Sequence, residues 1–317
     1  MRHTREDLRQ MQSVPLEGKI IMSQLRIQQW YDYWGGEVYL SFSGGKDSTV
    51  LKHLIETTSG VYDVPAVFVD TGLEYPEVRM FATKHADVVL RPEMRFDEVI
   101  EKYGYPVISK EIAKLLKDGK MAIQKGNSDS YALRKFNGTY LNKNGEVNPY
   151  AKNCEKWKFL LDSPFKISHQ CCDVMKKRPA KKYAKETGLK PYIATMADES
   201  QLRKSNWLKN GCNAFKKNDP SSQPMSFWTE QDVLEYIVKF NLDYAKVYGE
   251  IKQDESGKYY TTGADRTGCM FCMFGCHLEK EPNRFQKMKE THPRQYEYCM
   301  NKLGLKDVLE YINVPYE

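Results

Sequence analysis

The stretch that most constrains this chain is Ser43-Gly44-Gly45-Lys46-Asp47-Ser48, set between two apolar segments of different period. Before it, Glu37-Val-Tyr-Leu-Ser-Phe42 is short and almost continuously apolar, which predicts a buried strand. After it, Thr49–Glu56 has helical spacing. A glycine pair at a strand-to-helix turn lets backbone N–H groups approach an anion with no Cβ in the way. The first helical turn adds unsatisfied N–H groups and the positive end of the helix dipole. Lys46 supplies a point charge for a phosphate, and Ser43 and Ser48 supply hydroxyls. Asp47 is suited to hold Mg²⁺ against phosphate oxygens. The spacing is not the Gly-x4-Gly-Lys-Ser/Thr of the common triphosphatase loop. A plain Gly-rich turn capping a helix is the competing reading, but six such residues in strand–loop–helix context favour phosphate.

The flanking pattern predicts the fold around that loop. Ala66–Asp70 and Asp87–Arg91 read as further apolar strands, with helices starting near Pro76 and spanning about Phe96 to Tyr103. Lys190–Thr195 resumes a strand, and Thr229 caps a helix running to about Lys239. An amphipathic helix over Glu17–Trp34 precedes the first strand, and a helical piece near Ile312 closes the chain. Short apolar strands alternating with helices predict an α/β fold, a doubly wound parallel sheet of Rossmann-like type. The expected division is a nucleotide-binding domain over 1–215, carrying a basic insertion at about 105–170. A smaller helical, cysteine-bearing region follows over 216–317. Lys117–Asn153, with four glycines, reads as a mobile loop over the site. In such sheets ligands bind beyond the C-terminal strand ends. Asp70 ends the second strand and reads as facing ribose or adenine, or else as an N-cap. Glu199 and Arg203 follow Lys190–Thr195, and Arg203 has the fork for a bidentate phosphate contact; a helix-start acid is the plainer reading there.

Charge and cysteines narrow the function classes. Of 317 residues, 48 are Lys or Arg and 42 Asp or Glu, a net +6. Tyr105–Gln170 alone holds 12 basic and 6 acidic residues, and Val174–Lys190 holds 7 basic residues against Glu186. Such stretches attract nucleotides or nucleic acid, although a solvated face is the commoner explanation. No apolar run approaches the roughly 18 residues of a membrane helix. The N-terminal Met-Arg-His-Thr-Arg-Glu-Asp lacks a signal core, so a cytoplasmic protein is expected. In a reducing compartment the eight cysteines point to metal or redox chemistry before disulfides. Cys171-Cys172 and Cys269-Met-Phe-Cys272 form two tight groups of soft ligands, suited to iron–sulfur or zinc. Adjacent cysteines serve two irons of a cube more easily than one small ion, so a [4Fe–4S] cluster is expected. Cys276 reads as a further ligand, a reactive thiol, or packing. Cys154, Cys212 and Cys299 read as packing.

Ser41-Phe42-Ser43-Gly44-Gly45-Lys46-Asp47-Ser48 resembles the PP-loop of the adenine-nucleotide alpha hydrolases, which cleave ATP between its α and β phosphates. Within that superfamily, Phe68-Val69-Asp70-Thr71-Gly72, Cys171-Cys172-Asp173-Val174-Met175-Lys176-Lys177 and Phe227–Val233 resemble the phosphoadenosine phosphosulfate (PAPS) reductase family, iron–sulfur type. Asp198–Arg203 resembles its Glu-Ser-x2-Arg segment. The resemblance implies ATP and Mg²⁺ on Ser43–Ser48, a cluster on Cys171, Cys172, Cys269 and Cys272 beside the nucleotide, and catalytic roles for Lys46, Asp47 and Cys276. The intact loop is more like that of true ATP pyrophosphatases, and the C-terminal Cys-Gly-Leu-His of the reductases is not found here. The resemblance therefore implies adenylation of an acceptor (RNA, DNA or a metabolite) for sulfur transfer, with a sulfur-donor protein and a homodimer as expected partners. Alternatives are a sulfonucleotide reductase that forms sulfite, and a non-catalytic nucleotide and iron–sulfur sensor or partner subunit.

Overall fold

The central strands pair in parallel, as the apolar alternation predicts. The computed structural model describes residues 3–216 and 218–317; Met1 and Arg2 of the N-terminal stretch lie outside them. By chain order the strands are β1 (Val38–Phe42), β2 (Ala66–Val69), β3 (Val88–Leu90), β4 (Val107–Ile108), β5 (Lys190–Ile193), β6 (Asn213–Ala214), β7 (Ser221–Ser222), β8 (Ile251–Gln253), β9 (Tyr259–Thr261) and β10 (Met273–Phe274).

The chain divides into two units, and neither is continuous in sequence. The first comprises residues 1–92 and 178–268, the second residues 93–177 and 269–317. This differs from the expected boundary at 215. Residues 178–268 join the first unit because β5 and β7 complete its sheet and the helix Glu230–Lys239 covers it.

In the first unit the sheet order is β3-β2-β1-β5-β7-β6, parallel except for β6. Register pairs Leu40 with Ala66 on one side of β1 and with Tyr192 on the other. The order therefore reverses direction at β1, and a crevice opens at the C-terminal ends of β1 and β5. Val38, Leu40 and Phe42 are buried, and so are Val50, Leu51 and Leu54 on the following helix. That helix spans Lys46–Glu56, starting three residues earlier than its apolar spacing indicates, with Gly45 as N-cap. A second helix, Leu16–Tyr33, is pinned from below: Lys19 donates to both carboxylate oxygens of Asp232 at 2.7 Å, and Trp228 Nε1 donates to Ser23 Oγ. Asp232 also closes the capping box with Thr229.

In the second unit, most of the expected loop at 117–153 is helical. Lys110–Gln124 forms a helix capped by Ser109, followed by helices Tyr131–Phe136 and Pro149–Glu155. The glycines misdirect the sequence reading. Gly119 sits inside the first helix, where a Cβ would come within 2.9 Å of Leu161, so it marks close packing rather than a break. Ile112, Leu115 and Leu116 bury the face that supports this packing. β4 and β10 pair in parallel, and Gly275 N–H donates to Ile108. Helices Arg284–Thr291 and Leu305–Tyr311 complete the unit. Among the described residues, no helix is long and apolar enough to cross a membrane.

Candidate functional site

Two groups of side chains emerge, one in each unit, and they are built differently. The first surrounds Ser43–Ser48. β1 delivers the chain to the crevice, and Gly44 turns it with φ +72°. A Cβ on Gly44 would lie 2.6 Å from Ala82 Cβ and 2.9 Å from the Val78 carbonyl, so only glycine fits. Gly45 has ordinary φ, and its nearest obstacle is the Tyr248 hydroxyl at 3.2 Å. The steric demand on glycine is therefore heavier at Gly44. The loop is laced internally: Ser43 N–H donates to Ser48 Oγ at 3.2 Å, and Ser48 Oγ donates to the Gly45 carbonyl at 2.9 Å.

Lys46 is buried, and its ammonium donates to Glu230 Oε1 at 2.6 Å and to the Asp265 carbonyl at 2.7 Å. Its backbone N–H donates to the Tyr248 hydroxyl, which also meets Thr267 Oγ1 at 2.5 Å. Burial pushes the Tyr248 phenol up to about 12, so it stays protonated. Asp47 is the exception in this network, because its Oδ1 is buried with no hydrogen-bond partner. Burial pushes the Asp47 carboxyl upward, Lys46 opposes that, Glu230 adds to it, and Arg266 and Arg203 oppose it again. A buried carboxylate oxygen without a partner, at a phosphate-type loop, is a fitting ligand for a hard cation such as Mg²⁺.

Asp70 and Glu199 are engaged elsewhere. Asp70 takes a bidentate pair from Arg79, at 2.7 and 2.8 Å, and accepts the Gly72 N–H. Burial pushes its carboxyl up, but the Arg79 bonds and charge outweigh that and leave it below the ordinary value. Glu199 accepts from Met196 N–H and pairs with Arg203. Burial pushes the Arg203 guanidinium down, Arg266 does likewise, and Asp47 opposes them. The fold thus gathers Ser43–Ser48 and Arg203, with Asp70 committed to Arg79. Glu230, Tyr248 and Thr267 join the loop without any signal in sequence spacing. The run Asp265-Arg266-Thr267-Gly268 before Cys269 was the available pointer.

The second group lies wholly in the second unit. Cys171 Sγ donates to Cys172 Sγ at 3.9 Å. That bond pushes the Cys171 thiol up and holds Cys172 below its ordinary value; burial opposes the latter, and Lys110, Lys176 and Lys177 reinforce it. Cys269 and Cys272 act electrostatically on Cys171, so the four expected ligands share one neighbourhood. Burial pushes Cys272 up, and Arg284, which donates to its carbonyl, opposes that. Among the described residues no three acidic, histidine or cysteine side chains stand close enough to close on a single ion. A π-helical turn, Asp173–Lys177, directly follows the tandem pair. Cys276 is buried, donates to the Met273 carbonyl at 3.1 Å, and is pushed up by burial to about 12. Cys299 is likewise buried and pushed up by burial to about 12.

The fold defines an α/β protein with a glycine-bearing turn at the point where strand order reverses. The chain belongs to the phosphoadenosine phosphosulfate reductase domain family, whose model matches residues 37–117 and 129–274. Among solved structures, phosphoadenylyl-sulfate (PAPS) reductase from Candida auris, in phosphate complex, is 14% identical. The match covers 81% of this chain and 98% of that one, with a TM-score of 0.39. No curated protein matches the sequence significantly.

Proposed function

We propose that this member of the PAPS reductase family binds ATP on Ser43–Ser48 and cleaves it between the α and β phosphates, activating an acceptor for sulfur transfer. The observation that carries this reading is the orphaned Asp47 Oδ1 beside Lys46 in a complete Ser-Gly-Gly-Lys-Asp-Ser loop. A reaction that expels pyrophosphate needs both a cation and a metal ligand at the phosphates. In this reading an acceptor oxygen attacks the α phosphorus, the bond to the bridging oxygen breaks, and pyrophosphate leaves with the electron pair. A sulfur nucleophile then displaces AMP from the acceptor. Lys46 and the first-turn N–H groups hold the leaving phosphates, Arg203 and Arg266 supply further positive charge, and Asp47 would hold Mg²⁺. Mg²⁺ would neutralise charge on the departing pyrophosphate. Cys171, Cys172, Cys269 and Cys272 would hold a [4Fe–4S] cluster, which would supply a site for sulfur or electrons. The acceptor in this reading is RNA, DNA or a metabolite, with a sulfur-donor protein and a second copy of this chain as partners.

Calorimetry with ATP, AMP, adenylylsulfate and PAPS tests this. ATP should bind with Mg²⁺, and Lys46→Ala should weaken it by about 10- to 150-fold, the loss of one charge-assisted contact. Asp47→Asn should chiefly remove the Mg²⁺ dependence. The family description itself favours a second reading, a sulfonucleotide reductase releasing sulfite. Tight PAPS or adenylylsulfate binding with negligible ATP affinity would establish that reading instead.

A further inference from the structure

The two Lys46 donors that a phosphate would use are already taken by groups of this same chain. The ammonium is bound by the Glu230 carboxylate and the backbone N–H by the Tyr248 hydroxyl. These partners are not held alike. Tyr248 is buried and fastened to Thr267. The Glu230 side chain is 49% exposed, while that of Lys46 is 6% exposed. Glu230 stands at the first position of its helix, so its carboxylate can turn to water while the ammonium cannot.

We propose that Glu230 is an internal competitor for phosphate at Lys46 and thereby sets the affinity an anion needs to occupy the loop. A ligand enters only by displacing its carboxylate. This inference rests on reading Ser43–Ser48 as the nucleotide loop. A buried ammonium left without a counter-ion is costly, so Lys46 holds Glu230 until an anion replaces it. Apparent affinity for any anion is reduced by the fraction of molecules in which Glu230 is displaced. Pyrophosphate and the triphosphate of ATP carry more charge than one carboxylate and displace it readily. AMP, with a single phosphate, gains much less over the carboxylate it replaces. The contact thus sets a threshold that every anion must overcome before it enters the loop.

The full chain is titrated by calorimetry with pyrophosphate, ATP and AMP in Mg²⁺, and its ligand-free thermal unfolding is measured in parallel. Glu230→Gln should tighten pyrophosphate, ATP and AMP alike, by about tenfold. The same variant should unfold at a lower temperature without ligand, because Lys46 has lost its counter-ion. These opposite signs separate competition from a merely structural role, which would lower both quantities. Glu230→Asp should restore both values. If Glu230→Gln does not fold, Tyr248→Phe frees the Lys46 N–H and should tighten pyrophosphate several-fold. Unchanged or weaker anion binding in a folded Glu230→Gln overturns the proposal. A lack of anion binding in wild type and all variants overturns the reading of the loop instead.

Discussion

Around Ser43–Ser48 the charged side chains other than Asp47 find partners inside the chain, whereas the thiols of Cys171 and Cys172 meet in a weak contact at 3.9 Å. Lys46 has Glu230, Asp70 has Arg79, and Glu199 has Arg203. The loop is therefore a site that closes on itself without a ligand, and any ligand must exchange with partners already present. The four cysteines share one neighbourhood, Lys110, Lys176 and Lys177 act on Cys172, and the proposed cluster would be their common partner. Substitutions should accordingly act gradually at the loop and in an all-or-none way at the cysteines.

The largest effect is expected at the thiols. Anaerobically isolated protein should contain about four irons per chain and absorb broadly in the visible, as one cube requires. Cys172→Ser and Cys269→Ser should each lose nearly all iron. Cys276→Ser and Cys299→Ser should retain it, since both positions are buried thiols bonded to backbone carbonyls. Iron analysis decides this, and a colourless protein carrying one zinc would reverse the contrast between the two regions.

Gly44→Ala comes next. The added Cβ meets Ala82 and the Val78 carbonyl in a left-handed conformation, which should cost about 3 kcal/mol by denaturant unfolding. Gly72→Ala is the control, with the same φ of +72° and nothing within 4 Å, and should cost only about 1 kcal/mol. Equal costs would show that the loop is not packed as tightly as its geometry states.

The smallest effect is expected at Asp70. Its carboxyl lies below the ordinary value, so the Arg79 pair stabilises the fold above the unfolded-state pKa. That stability is lost as pH falls through the folded-state value. Arg79 is half exposed, which keeps the contribution under about 1 kcal/mol. Asp70→Asn should lower stability slightly at neutral pH and flatten its fall below about pH 4. A steeper acid fall in the variant would contradict the sign.

The sheet was legible because its evidence is local. Val38–Phe42, Ala66–Val69 and Val88–Leu90 are apolar runs bounded by turns, and the first two are largely buried while the edge strand Val88–Leu90 leaves Val89 exposed. Thr229 with Asp232 declared a helix start for the same reason, a cap bond spanning three residues. The segment at 117–153 was misread because its glycines signal loops in sequence, while Gly119 answers to Leu161 across the fold. The unit boundary was misplaced for a related reason: β5 pairs with β1 across some 150 residues of chain.

By itself the amino-acid sequence determined the α/β alternation, the phosphate-type loop at a strand end, and two tight cysteine groups, because each is a pattern within a dozen residues. Only the tertiary structure decided which charges meet. Lys46 lies 184 residues from Glu230 and 202 from Tyr248, and Lys19 lies 213 from Asp232. No periodicity carries such pairings, because they follow from which helix covers which strand. The same holds for Asp47, whose orphaned oxygen is a consequence of burial, and burial is a property of the packed chain alone.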